Sequence, residues 1–335
     1  MINVAVIGAG HWGRNLVRNF NQVSGAKLYA ICDLDEKIRQ GMSKLYPEAK
    51  IFSDYDKLLA DPDLTAVVIA SPAPYHYEMG MAALRAGKHA FIEKPLALKG
   101  THAAELCSLA GGNRLKIMVG HLLIYHPAIR KMKELIESGE LGDVYCIYTE
   151  RVNLGIIRDN ENAWWSLAPH DISVVLELLQ DEPESIVARG EDYLQKGIED
   201  TVFANIRFQD GRMAQIHVSW LDPHKSRKMT VVGSKKMAVF DDMEASEKVR
   251  IYDKGAEVEG YVSFGESISI RTGDIIIPKI DGKEPLALEC QHFVDCVAGD
   301  EKLMSGGQAG LRVTEILEAG QRSLEQGGVP VKIVV

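Results

Sequence analysis

Residues 2–16 read INVAVIGAGHWGRNL, and this stretch decides the fold. Ile2 to Ile7 form a short apolar run of the kind found in strands buried on both faces. Three glycines follow at the spacing Gly8-x-Gly10-x-x-Gly13, and a helical stretch begins over 13–22. The glycine spacing alone is a weak pattern. Between a strand and a helix it reads as a dinucleotide-binding turn. Gly8 permits the turn, Gly10 lets backbone approach a pyrophosphate, and Gly13 lets the helix pack close to the strand. The helix start offers N–H groups and a positive dipole end to the phosphates.

The same pairing repeats through the first 120 residues. The runs KLYAICD, TAVVIAS, KHAFIE and LKIMVG alternate with helical stretches at 35–45, 54–60, 75–87 and 100–110. Strand–helix alternation at this pitch implies a parallel sheet with helices on both faces and right-handed crossovers. Beyond about residue 140 the texture changes. VYCIYTERVN, TVFANIRF, RMAQIHVSWL, KMTVVGS and KMAVF follow one another with short turns. In TVFANIRF, Val202, Ala204, Ile206 and Phe208 alternate with Phe203, Asn205 and Arg207, the period of a sheet with one covered face. The turn Gln209 to Arg212 carries an Asp-Gly hairpin signal. One helix near 169–180 can cover this sheet, and helical stretches at 286–298 and 307–325 pack on either domain. Residues 255–285, rich in glycine and charge, read as loop.

The expected fold class is α/β: an N-terminal Rossmann, doubly wound parallel sheet, then a C-terminal α/β domain with an open, mainly antiparallel sheet. The expected boundaries are 1–120 for the dinucleotide-binding Rossmann domain and 121–335 for a second domain, whose last helices can pack back on the first. A chain of 335 residues is long for one core, which agrees with two domains.

Charge narrows the partners. Lys and Arg number 38 against 47 Asp and Glu, a net charge of −9, which argues against a nucleic-acid or membrane-surface binder. Cys32, Cys107, Cys146, Cys290 and Cys296 are scattered with no Cys-x-x-Cys pair, as reduced thiols would be. With the ten histidines showing no His-x-x-x-His pair, no metal site is expected. The chain opens directly on a strand-like run and shows no leader or 18-residue apolar span, so a cytoplasmic location is expected.

Asp33 ends the second strand, 20 residues after Gly13. A carboxylate there accepts hydrogen bonds from both adenosine ribose hydroxyls and repels a 2′-phosphate, which favours NAD over NADP. Leu34, Asp35 and Glu36 come next, with no arginine among them.

Together with the glycines and Asp33, the segments SPAPYH (Ser71 to His76) and Glu93-Lys94-Pro95 make the chain resemble the Gfo/Idh/MocA oxidoreductases. The resemblance covers nearly the whole chain, and the Glu-Lys-Pro element is its most specific part. It implies an active site between two domains, with the lysine beside the nicotinamide and a histidine of the second domain handling the substrate proton. It also implies a cis Lys94–Pro95 peptide and a homo-oligomer, tetramer or dimer, paired through the open sheet. In the second half GHLLIYHPAI, RVNLG, WSLAPHDIS and EPLALECQHFVDC look like UDP-N-acetylglucosamine 3-dehydrogenases and the related UDP-N-acetylglucosaminuronate enzymes. That resemblance implies oxidation of a nucleotide sugar's 3-hydroxyl to a ketone, commonly ahead of an aminotransferase, in cell-surface polysaccharide biosynthesis. An inositol or aldose dehydrogenase is the alternative enzyme reading. A non-catalytic NAD-binding regulator is the alternative of another class.

On this reading the cofactor meets Gly8, Gly10, His11, Trp12, Gly13, Asp33, Ser71, Pro72, His76, Glu93, Lys94 and His121. His76 and His121 divide between places near the nicotinamide and structural roles. Lys94 and His170 are the catalytic candidates, one orienting the hydroxyl and the other taking its proton, with the roles open to exchange. Pro95 restricts Lys94 to extended backbone. A lysine partly desolvated beside a cationic ring is expected to lose basicity. Pro169 suits a first helical turn, which would put His170 at a helix start and keep it neutral. The resembled family usually has an aspartate four residues before this histidine, where this chain has Ser166. Tyr125 is a pocket wall or a core residue. Arg151 and Asn153 share a strand face, and Arg227 with Lys228 suits a diphosphate. Trp164 and Trp165 stack on rings or pack. Tyr125, Arg151, Asn153, Trp165 and Arg227 complete the substrate candidates beside Lys94 and His170.

Overall fold

The computed structural model describes residues 1–258, 268–299 and 301–334. They form two compact units, Met1–Tyr125 with Lys283–Glu315, and His126–Gly282 with Ile316–Val335.

The first unit runs β1 (Ile2–Ile7), α1 (Gly13–Phe20), β2 (Ala26–Cys32), α2 (Glu36–Leu45), β3 (Lys50–Phe52), α3 (Tyr55–Leu59), β4 (Ala66–Ile69), α4 (His76–Arg85), β5 (His89–Ile92), α5 (Gly100–Gly112) and β6 (Ile117–Val119). Its six strands are parallel in the order β3-β2-β1-β4-β5-β6, the expected Rossmann sheet. Strand alternation sends Val4, Val6, Val68 and Phe91 to one face, where Leu16, Val17 and Phe20 of α1 cover them. Ala5, Ile7, Val67, Ile69 and Ile92 go to the other face and meet Ala83, Leu84 and Leu106. Full burial of such side chains contributes about 1.5–3 kcal/mol each, so the alternation largely builds this unit.

The second unit carries α6 (Pro127–Glu137), β7 (Val144–Val152), α7 (Ala163–Leu179), β8 (Pro183–Glu191), β9 (Thr201–Phe208), β10 (Met213–Ser219), β11 (Ser226–Gly233), β12 (Met237–Asp241), β13 (Val249–Val258) and β14 (Ile268–Ile276). After these come α8 (Pro285–Ala298), which belongs to the first unit, α9 (Gly307–Glu325) and β15 (Val331–Lys332). In α8, Phe293 stands edge-on to Phe20 and Phe91, with ring centroids 6.2 and 5.7 Å apart. The second unit's nine strands are ordered β14-β13-β12-β11-β7-β10-β9-β8-β15. Among the described residues only β7 and β10 pair in parallel, so the sheet is mixed and mainly antiparallel. Within the unit α7 packs against β10, β7 and β9, while Tyr148, Phe203 and Met213 stand exposed.

The structure corrects two sequence expectations and adds a helix that the reading did not contain. The stretch 255–285 is not all loop. Residues 255–258 end β13 and Ile268–Ile276 forms β14, paired antiparallel with Ile251 opposite Ile276 and Tyr252 opposite Ile275. Gly255 and Gly273 interrupt the hydrophobic alternation that would have marked these strands; β14 is the edge strand, and the pairing slips register between Tyr252 and Lys254. The middle of that stretch, 259–267, lies outside the described residues. Helix α6 escaped the reading although Pro127 occupies its first turn and His126 Nδ1 accepts the Ala128 N–H at 3.0 Å. Finally, α7 begins at Ala163, not near 169. The Asn162 side chain caps it by accepting the Trp165 N–H at 3.1 Å, and Pro169 lies inside it.

Candidate functional site

The first unit gathers its candidates at the carboxyl ends of its strands. Gly8 has φ +88°, and a Cβ there would lie 2.8 Å from the Ala70 carbonyl oxygen. A Cβ on Gly13 would stand 1.8 Å from the Gly8 carbonyl oxygen, so helix and turn touch only through glycine. A Cβ on Gly10 would meet nothing within 4 Å, the opening a pyrophosphate needs against bare backbone. Asp33 follows β2 and holds the turn: it accepts the Ala9 N–H at 2.7 Å and the Asp35 N–H at 2.9 Å. Each carboxylate oxygen keeps a second lone pair for a ribose hydroxyl. Arg39, six residues on, donates to the Asp33 and Leu34 carbonyls at 3.0 and 2.8 Å. The sequence reading inspected only the next three residues and missed this guanidinium, which one turn of α2 brings back. These residues fit NAD.

Farther along the sheet, Lys94 follows β5, half-buried, and its peptide to Pro95 is cis. His76 is buried with Nδ1 2.7 Å from the Pro95 carbonyl oxygen and Nε2 2.8 Å from that of Ser71. It therefore staples the loop after β4 to the turn holding Lys94. Glu93 is buried and accepts the Trp12 indole N–H at 2.6 Å. Burial pushes its carboxyl above the usual range, opposed by the Trp12 hydrogen bond and the Lys94 charge. His121 is fully buried, and neither ring nitrogen has a hydrogen-bond partner. Burial, and then the charge of Lys94, lower it to about 3, so it is neutral at pH 7. The half-buried Ser71 has a hydroxyl closed off from solvent and without a partner, and Pro72 and His11 are exposed. Tyr125 takes the core alternative. It is 2% exposed and its hydroxyl lies 3.0 Å from Ser305 Oγ.

The second unit holds the other candidates. Arg151 is buried and donates from Nε and Nη2 to the two oxygens of Asp171, at 2.6 and 3.2 Å. Arg227 is the cross-strand partner of Arg151 and lies 3.7 Å from Asp242. Burial and the Arg151 charge lower its pKa. Lys228 is exposed, 3.3 Å from Asp241. Asn153, half-buried, follows β7, and its N–H donates to the Ser219 carbonyl at 3.1 Å. Trp164 packs, fully buried, its indole donating to the Leu317 carbonyl at 3.0 Å, whereas Trp165 is half-buried.

His170 is the eighth residue of α7. The helix-start argument for its neutrality therefore fails, because dipole effects fade within the first turn. Its carbonyl accepts the Ser173 hydroxyl at 2.8 Å. Asp171 was missed as a partner because its arginine lies 20 residues away on another element.

Among the described residues one trio of possible metal ligands, His292, Cys296 and Glu301, has donor atoms within 4.8 Å of one another. The sequence reading found neither a His-x-x-x-His pair nor a Cys/His cluster, and so passed over His292 and Cys296, one turn apart on α8. His292 Nε2 already accepts the Met304 N–H at 3.2 Å, which ties the turn after α8. No helix among the described residues is long and apolar enough to cross a membrane.

Comparison with known proteins agrees with this geometry. Residues 2–121 match the model of an oxidoreductase family with an NAD-binding Rossmann fold, and residues 129–239 match the GFO/IDH/MocA C-terminal domain. An uncharacterized oxidoreductase of Bacillus subtilis, YrbE, is 24% identical over 99% of this chain and 96% of its own length. The myo-inositol 2-dehydrogenase of Thermotoga maritima is 26% identical over 78% of this chain and 82% of its own. The solved structure of UDP-N-acetylglucosamine 3-dehydrogenase GnnA from Acidithiobacillus ferrooxidans shares the fold, with TM-score 0.82 at 24% identity, over 97% of this chain and 98% of that one. With both halves matched in order, this chain belongs to the GFO/IDH/MocA family and is an NAD-dependent oxidoreductase.

Proposed function

We propose that the protein oxidises the 3-hydroxyl of a nucleotide sugar, UDP-N-acetylglucosamine, to a 3-keto sugar. NAD, when bound, supplies the hydride acceptor. Lys94 orients the hydroxyl, and His170 takes its proton, or the two exchange roles. The observation that carries the reading is the setting of Lys94. Glu93 and the His76–Pro95 staple hold the turn around it at the carboxyl end of β5, where an open α/β sheet presents groups to its ligand. His121, with its pKa lowered to about 3, is too weak a base to take the hydroxyl proton.

Arg227 favours an anionic substrate, since Arg151 beside it is held by Asp171. The two arginines face each other on β7 and β11 with two carboxylates, Asp171 and Asp242, as partners. Arg227 has the looser of the two pairs and is the better diphosphate contact, with Asn153 and Trp165 lining the sugar. The uronic acid form of the same sugar is the nearest variant. The second reading, a free polyol such as inositol, draws on the 26% identity to the Thermotoga enzyme. The exposed sheet face is the expected seat of a second copy in a dimer or tetramer. The NAD and nucleotide-sugar pools that the reaction needs place the work in the cytoplasm, and the keto product suits a following aminotransferase. Calorimetric titration with UDP tests the substrate class: saturable binding is expected, and a polyol enzyme has no use for the nucleotide.

A further inference from the structure

Trp12 raises a question that the glycine motif does not answer. It stands between Gly10 and Gly13, 38% exposed, in a loop whose business is backbone contact with phosphate. Its indole nevertheless reaches a residue 81 positions away, donating to Glu93 Oε1 at 2.6 Å. An indole is a donor only, so this bond needs the acceptor that Glu93 supplies.

The acceptor is built in. Glu93 is buried at the end of β5, and its second oxygen is 3.3 Å from the Lys94 backbone N–H. Gly120, after β6, packs so closely that a Cβ there would stand 3.0 Å from the carboxylate. A side chain at position 120 would crowd the carboxylate, so glycine there leaves the acid its room. Hydrogen bonds to a charged group in such a setting are shorter and stronger than neutral ones.

Sheet order tells what the bridge spans. Trp12 leaves the loop after β1, and Glu93 ends β5; β4 lies between them. The adenosine side of the crevice lies toward β2, where Asp33 sits. The indole therefore crosses on the opposite, nicotinamide side of the switch point.

We propose that Trp12 is a positioning residue for the nicotinamide half of the cofactor, its indole anchored on Glu93 to form a fixed support across the carboxyl end of β4. The same bond joins the phosphate loop to the turn that aims Lys94, so cofactor and lysine are set by one strut.

The test compares two ligands on the full-length protein by calorimetry: NAD+ and ADP-ribose, which lacks the nicotinamide. Trp12→Phe keeps the ring and removes the N–H. It is expected to weaken NAD+ about tenfold and ADP-ribose by less than about twofold. Glu93→Ala is expected to repeat that pattern, and Glu93→Gln, which keeps an acceptor oxygen, to hold the ratio of the two affinities near that of the parent. Equal losses for both ligands would show that Trp12 only shapes the phosphate loop and would overturn the proposal. Unchanged NAD+ affinity, or a Gln variant that loses the ratio like Ala, would overturn it too.

Discussion

Arg151 and Asp171 close a two-point ion pair, 2.6 and 3.2 Å, between β7 and the middle of α7, with both side chains buried. The pair spends the guanidinium that sequence reading assigned to substrate, and it does so one residue from His170. Removing one member of a buried pair leaves the other charge uncompensated, which costs about 3–5 kcal/mol. Asp171→Asn is therefore expected to lower the urea midpoint of unfolding strongly. Replacing both members, Arg151→Met with Asp171→Leu, removes both charges and should cost less than Asp171→Asn alone. Equal midpoints for the parent and Asp171→Asn would mean the pair carries no weight.

Asp33 and Arg39 bear on cofactor choice from opposite sides. The carboxylate repels a 2′-phosphate, while the guanidinium is already parked on the Asp33 and Leu34 carbonyls. Asp33→Ser is expected to weaken NAD+ by about tenfold to a hundredfold, the scale of hydrogen bonds to a charged group. NADP+ should lose little or gain, since Arg39 remains to meet the phosphate. Fluorescence titrations with both dinucleotides decide it; an unchanged preference would mean Asp33 does not touch the ribose.

Glu289 on α8 is fully buried, and neither carboxylate oxygen has a hydrogen-bond partner. Burial, then the charge of Glu93, raise its pKa well above the ordinary carboxyl value. A raised acid binds its proton more tightly folded than unfolded. Its stabilising effect is full below the unfolded pKa of about 4.3 and fades as pH climbs toward the folded value. Glu289→Gln cannot ionise. The thermal midpoint of this variant minus that of the parent should therefore rise with pH above about 5. A pH-independent difference would mean that Glu289 finds a compensating charge.

His121 works with the opposite sign. Its folded value, lowered to about 3, lies below the unfolded value of about 6.5, so its contribution is full at neutral pH and lost as pH falls between the two. His121→Gln should flatten that part of the stability curve. Because the Lys94 ammonium contributes to the shift, Lys94→Ala should move the His121 resonance titration upward in NMR. A titration near the ordinary value in the parent would contradict the burial argument.

The parts legible from sequence are those whose cause is local. Gly8, Gly13 and Asp33 announce themselves because a left-handed φ, a close helix contact and a strand-end carboxylate each demand a residue type at a set place. Val202 to Phe208 showed their strand through simple alternation. What stayed hidden depends on partners far along the chain. Asn162 caps α7 in the midst of tryptophans, so Pro169 looked like the start. Gly255 and Gly273 broke the alternation of β13 and β14. Asp171 and Glu93 read as an unremarked acid and a cofactor ligand until Arg151 and Trp12 stood beside them.

The most direct measurement is NADH formation on mixing the protein with NAD+ and UDP-N-acetylglucosamine, beside its uronic acid, free N-acetylglucosamine and myo-inositol. The account predicts turnover with the UDP sugar and little with the free sugars. It also predicts that Lys94→Ala lowers turnover by about 10²–10⁴-fold while NAD+ still binds. NADH formed only from myo-inositol, or a Lys94→Ala protein that turns over like its parent, would contradict it.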